Sequence, residues 1–143
     1  MKSKIENEIK YRAKAKGFDF TVFFDIVGNF FDEHNIKKIE YSKLKLALEE
    51  LIVNISSYAY KVDGNITIKI KIRATVFSAL IADNGIPFDP SKYSREINNS
   101  IDSIMNLENI GGRGLYLVRK FMNKFNYRRT SDSNIVSISI LRK

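Results

Sequence analysis

The run Ile66-Thr67-Ile68-Lys69-Ile70-Lys71-Ile72 places an isoleucine at every second position. Side chains alternate between faces in a β-strand, so all four isoleucines share one side and Thr67, Lys69 and Lys71 share the other. Such a strand must be buried on one face and wet on the other, because a one-residue slip in register would turn the apolar row to solvent. Val76 to Ala82 is apolar on both faces and reads as a central strand. Val136, Ile138 and Ile140 alternate with Ser137 and Ser139 in a closing strand. Residues 4–12 suggest one more, with Ile5, Ile9 and Tyr11 on one side and Glu6, Glu8 and Lys10 on the other. A sheet of this kind needs helices over its apolar face.

Those helices are legible. Phe20, Phe23, Phe24, Val27 and Phe31 recur at helical spacing over residues 19–34. Ser42 reads as the N-cap of a long helix with Leu44, Ala47, Leu48, Leu51, Ile52, Ile55 and Ala59 on one face. Leu46 and Val53 lie on its opposite face, which places this helix between the sheet and another helix. Asp63-Gly64 makes a turn, and residues 86–113 are polar and irregular, with a weak amphipathic helix at Ile97, Ile101 and Ile104. Leu115, Val118, Phe121, Met122 and Phe125 suggest a final helix. Helices first, then a hairpin, a helix and a strand argue an α+β two-layer sandwich, with one mixed, mostly antiparallel sheet and helices on one face. At 143 residues the chain is long enough for one domain, spanning 1–143, with a core of its own.

Composition narrows the class. The absence of cysteine excludes a disulfide framework and thiolate metal sites. No apolar run reaches the roughly 18 residues of a membrane span, and the charged start Met1-Lys2-Ser3-Lys4 lacks a signal-peptide core, so a cytoplasmic protein is expected. The net charge of +8 admits an anionic partner, whether nucleic acid, nucleotide or acidic protein, or simply lysines scattered over a solvated surface. The basic residues form no single block; the nearest to one is Arg119-Lys120, Lys124 and Arg128-Arg129.

Three short segments carry chemistry. Glu50 and Asn54 are i,i+4 neighbours on the long helix, with Asn54 at the edge of the sheet-facing stripe. A carboxamide oxygen there can ligate Mg²⁺, and a nearby carboxylate can take or orient a hydroxyl proton. Glu49 is an adjacent competitor, and an ordinary solvated pair has the same spacing. Asp83-Asn84-Gly85-Ile86-Pro87-Phe88 follows the central strand. It reads either as a plain turn or as a carboxylate that accepts from an exocyclic amine, with Gly85 permitting close approach to a flat base. Gly111-Gly112-Arg113-Gly114 opens the helix at Leu115, where free N–H groups and the helix dipole suit phosphate and Arg113 adds a charge. It lacks the Gly-Lys-Ser/Thr ending of a Walker loop and follows no βαβ strand.

In that order, Glu-x-x-x-Asn, Asp-x-Gly and Gly-x-Gly resemble the signature of the histidine-kinase-like ATPases, which share a Bergerat-type ATP-binding fold. The stretches Leu46–Tyr60, Asp83–Pro90 and Gly111–Val118 are most similar to the anti-sigma factor serine kinase branch, and the resemblance covers residues 8 to 143. It implies ATP and Mg²⁺ as cofactors. By that resemblance Glu50 is the general base; Asn54 holds Mg²⁺ and, with it, ATP. Asp83 binds the adenine amine beside Gly85. Gly111, Gly112, Arg113, Gly114 and Leu115 bind ATP at its phosphates, under a lid over about residues 89–113. The implied substrate is a serine of a small anti-sigma factor antagonist, with a sigma factor as a further partner, a homodimer as the compatible assembly, and neither direct nucleic-acid nor membrane binding. Two positions depart from the pattern. Ile110 stands where kinase members often carry Arg, which leaves a non-catalytic, ATP-gated switch as the alternative. The Thr often found near the last strand is not clearly present, with Ser137 as a candidate substitute. Tyr58 stands where relatives often carry His, and His34, the only histidine, reads as structural or solvated.

Overall fold

The computed structural model describes residues 7–58, 64–95 and 112–142. Strand β1 (Glu8–Lys14) is followed by helices α1 (Phe20–Glu33) and α2 (Lys38–Tyr58) and by strands β2 (Asn65–Ile72) and β3 (Val76–Asp83). A short helix α3 (Pro90–Arg95), helix α4 (Gly112–Phe121) and strands β4 (Lys124–Arg129) and β5 (Asn134–Leu141) complete the chain. The strands form one sheet in the order β1-β2-β3-β5-β4, and all four pairings are antiparallel. The α+β, two-layer architecture expected from the sequence is the one observed, and β3 is the central strand.

Alternation decides the layers. The inward rows hold Ile66, Ile68, Ile70 and Ile72 of β2, Phe77, Ala79 and Ile81 of β3, and Val136, Ile138 and Ile140 of β5, all buried. Phe23, Val27 and Phe31 of α1, Leu44, Leu48, Leu51, Ile52 and Ile55 of α2, and Leu115 and Val118 of α4 join them in one core. Each large apolar side chain buried there contributes roughly 1.5–3 kcal/mol. The outward rows carry Lys10, Arg12 and Lys14 of β1, Lys69 and Lys71 of β2, and Lys124 and Arg128 of β4. Covering that face would desolvate all of these charges, so the fold stops at two layers.

Local signals fix the helix ends. Asp19 caps α1 by accepting from the Val22 N–H at 3.1 Å. Asn35, at φ 57°, closes its other end in the left-handed conformation that asparagine tolerates.

Four expectations are corrected. Helix α2 begins at Lys38, and Ser42 lies inside it, its hydroxyl donating back to the Lys38 carbonyl at 2.7 Å rather than capping. The second face of α2 is covered only in part: another helix, α4, packs along it at Glu50, but Val53 stays 44% exposed and Leu46 half-buried. Helix α4 ends at Phe121, and Phe125 belongs to the edge strand β4, whose basic sequence Lys-Phe-Asn-Tyr-Arg-Arg hid its alternation. Strand β1 runs on to Lys14. Residues 4–6, Ala59, Asp63 and the helix expected around residues 97–104 lie outside the described residues.

Candidate functional site

At one end of the sheet the apolar rows turn polar. The inward row of β3 runs Phe77, Ala79, Ile81 and then Asp83; that of β5, read backwards, runs Ile140, Ile138, Val136 and then Asn134. The register sets Asp83 directly opposite Asn134, and both are buried. Asp83 Oδ1 accepts from the Gly85 N–H at 2.9 Å and from Asn134 Nδ2 at 2.9 Å. Asn134 Nδ2 also donates to the Ile86 carbonyl at 2.8 Å, while its Oδ1 accepts from the Phe88 N–H at 3.1 Å and the Tyr127 hydroxyl at 2.6 Å. Two acceptors on one side of the amide and two donors on the other fix its orientation. Burial raises the Tyr127 phenol above its ordinary range, which keeps it a neutral donor. Arg129 Nη1 donates to the Gly85 carbonyl at 2.8 Å and ties down the same turn. A buried carboxylate held in place at a strand end, beside a glycine, is suited to receive an amine of a flat heterocycle.

Helix α2 builds the second cluster. Asn54 occupies a core position at 2% exposure, and its Nδ2 donates to the Glu50 carbonyl at 2.7 Å. Its Oδ1 is buried with no hydrogen-bond partner among the described residues. An unmet buried acceptor costs about 1–3 kcal/mol, and a hard cation is the ligand that would satisfy it. No group of three His, Cys, Asp or Glu side chains stands ready to hold a metal among the described residues. The site therefore fits Mg²⁺ that brings most of its oxygens from phosphate and water, as that ion usually does.

Glu50 is half-buried, and Glu49 is exposed, so the adjacent competitor faces solvent. Burial first, and the Glu49 charge second, push the Glu50 carboxyl above its usual range. The carboxylate sits over the first turn of α4. A β-carbon on Gly114 would lie 2.7 Å from Glu50 Cγ and overlap the carboxylate itself, so only glycine permits this approach.

The structure thus brings Glu50 to the first turn of α4, with Asn54 one turn further along α2, and holds Asp83 on the Gly85 N–H. Gly112 and Gly114 lie in the first turn of α4, whose N–H groups have no intrahelical acceptor. Leu115 is fully buried in the core, so any part it plays in the site is through its main chain. Gly111, Ile110 and the side chains of Arg113 and Tyr58 lie outside the described residues. Within the range expected as a lid, residues 90–95 form α3. Asp89 starts it, accepting from the Ser91 N–H at 2.9 Å, and Pro90 occupies its first position. A groove of about 180 Å³ lined by Arg12, Thr67 and Ala82 reaches Asp83 from the outward face of the sheet, opposite the face on which Asp83 meets Asn134.

Ser137 does not stand in for the threonine often found near the last strand. It lies on the outward face of β5, in the groove with Lys69 and Lys124, while Asn134 takes the place beside Asp83. Sequence reasoning missed Asn134, Tyr127 and Arg129. For Asn134 the signal was present: it continues the Val136-Ile138-Ile140 alternation by one step, as a polar residue on the buried face. His34 is structural, with Nδ1 2.7 Å from the Phe30 carbonyl and Nε2 2.9 Å from Asn7 Oδ1.

The family described as the histidine kinase-like ATPase domain matches residues 21–140. The chain is 35% identical over 86 residues to the serine-protein kinase RsbW of Bacillus cereus, covering 56% of this chain and 51% of that protein. It is 32% identical over 99 residues to the serine/threonine-protein kinase BtrW of Bordetella bronchiseptica, covering 67% of each. It is 32% identical over 83 residues to RsbW of Bacillus thuringiensis, covering 56% of this chain. The matched region spans about half the length of the Bacillus relatives.

Proposed function

The chain belongs to the histidine kinase-like ATPase family, and on that premise we propose that it is a serine-protein kinase. It transfers phosphate from Mg-ATP to a serine of a small anti-sigma factor antagonist, and a sigma factor is its second partner. The names of its relatives, serine-protein kinases, support the reaction class. The observation that carries the reading is the Glu50 carboxylate seated over Gly114, one helical turn from the unsatisfied Asn54 oxygen.

Each residue then has a task. Asp83, held by Asn134 and the Gly85 N–H, accepts from the adenine amine. Gly85 admits the base, and Gly111, Gly112 and Gly114 present N–H groups to the phosphates, with Arg113 adding charge. Asn54 holds Mg²⁺, which when bound neutralises charge on the phosphates during transfer. Glu50 receives the proton of the attacking serine hydroxyl; its raised carboxyl makes it a stronger base than an exposed glutamate. Residues 89–113 serve as the lid of one domain, 1–143. No helix among the described residues is long and apolar enough to cross a membrane, and we place the protein in the cytoplasm.

The test pairs two variants. Asp83→Ala should abolish ATP binding in calorimetric titration, whereas Glu50→Gln should bind ATP and transfer no phosphate from radiolabelled ATP to the antagonist. Unchanged ATP affinity in Asp83→Ala would sink the site. Ile110 favours a second reading, an ATP-gated switch without transfer. A phosphoserine product on the antagonist excludes it.

A further inference from the structure

The end of the sheet remote from Asp83 carries a second surface. Leu141 pairs with Val76 at the opposite end of β3 from Asp83, about 23 Å away along the strand. There the N-terminus of α2 and the C-terminus of α4 enclose a groove of about 510 Å³ over the end of β5. Ile39, Phe121 and Leu141 line it, at 68%, 36% and 57% exposure. Single exposed apolar side chains are ordinary, but three converging in one concavity form a patch that calls for a partner. Lys37, Lys43 and Lys120 also line the groove, against one acidic residue, Glu40.

We propose that this groove docks an acidic amphipathic helix of a partner protein. An apolar floor with an aromatic anchor and a charged rim is the anatomy of a protein interface. Apolar residues at i, i+4 and i+7 of the incoming helix would meet Ile39, Phe121 and Leu141, and flanking glutamates would meet the lysines. Charge complementarity selects the sign of that partner. A second copy placed symmetrically would set lysines against lysines. Nucleic acid has no use for the apolar floor, and a membrane engages protruding apolar residues rather than a concave lining. The site is separate from the nucleotide residues, so its failure would leave the kinase reading standing.

The experiment uses the full chain and a fluorescein-labelled synthetic helix with leucine at i, i+4 and i+7 and glutamate on its flanks, read by fluorescence anisotropy. Ile39→Asp should weaken binding at least about tenfold, a loss of about 1.4 kcal/mol. Aspartate in the first turn of α2 suits the helix dipole, so the thermal melt and ATP binding should be unchanged. Lys43→Glu with Lys120→Glu should also weaken binding and flatten its salt dependence. Equal peptide affinity in Ile39→Asp overturns the proposal. So does capture by phosphatidylserine vesicles without peptide binding, or a dimer in sedimentation that Ile39→Asp dissolves.

Discussion

Replacing Asn134 by alanine removes four hydrogen bonds from a side chain with no exposure: those to Asp83, Ile86, Phe88 and Tyr127. The losses are unequal. Ile86 is exposed and Tyr127 half-buried, so water can replace Asn134 at those two groups. The Asp83 carboxylate and the Phe88 N–H belong to buried residues, where losing a partner costs about 1–3 kcal/mol each. A total of about 2–6 kcal/mol follows, a large part of the 5–15 kcal/mol that holds a typical domain. Asp83 also loses a donor that orients it, so ATP affinity should fall about tenfold. Urea unfolding at constant slope gives the stability change, and calorimetry gives the affinity. Ser137→Ala is the control: on the outward face it should change stability by under about 0.5 kcal/mol and leave ATP binding alone. A loss below about 1 kcal/mol in Asn134→Ala, or full ATP affinity, would refute the reasoning.

Gly114→Ala should leave the fold nearly intact, because the flexible end of Glu50 can swing away, yet it should cut phosphate transfer about 10²-fold or more with ATP binding retained. Single-turnover transfer assays check this. Glu50→Gln should be more stable than the native chain at neutral pH. Burial raises the Glu50 carboxyl in the folded state, so that state binds more protons than the unfolded chain between the unfolded value and the raised one, and stability falls as pH rises through that window. Thermal melts of the two proteins should converge below the ordinary carboxylate range; a gap that persists there would contradict the assignment.

Much of this molecule follows from periodicity alone. The isoleucine alternation of β2, the serine-spaced β5 and the phenylalanine spacing of α1 each fix an element and its buried face, because period and burial are properties of the local chain. The spacing of Glu50 and Asn54 likewise settles that they share a helix face. Strand β4 escaped because an edge strand needs only one apolar row, here Phe125 and Tyr127, and the preceding helix offered that row a competing period. The start of α2 escaped because Lys37 opens it through its carbonyl, with no capping side chain to announce it.

The amino-acid sequence by itself determined four of the five strands, the main helices and the three polar segments that set this chain among the ATPases it resembles. Tertiary structure decided which of those polar groups meet. Pairing β3 with β5 put Asn134, not Ser137, beside Asp83, and docking α4 on α2 chose Glu50 over Glu49 by laying its carboxylate against Gly114. Such choices depend on register and on helix packing between residues 51 and 64 positions apart, and no local pattern encodes a contact at that range.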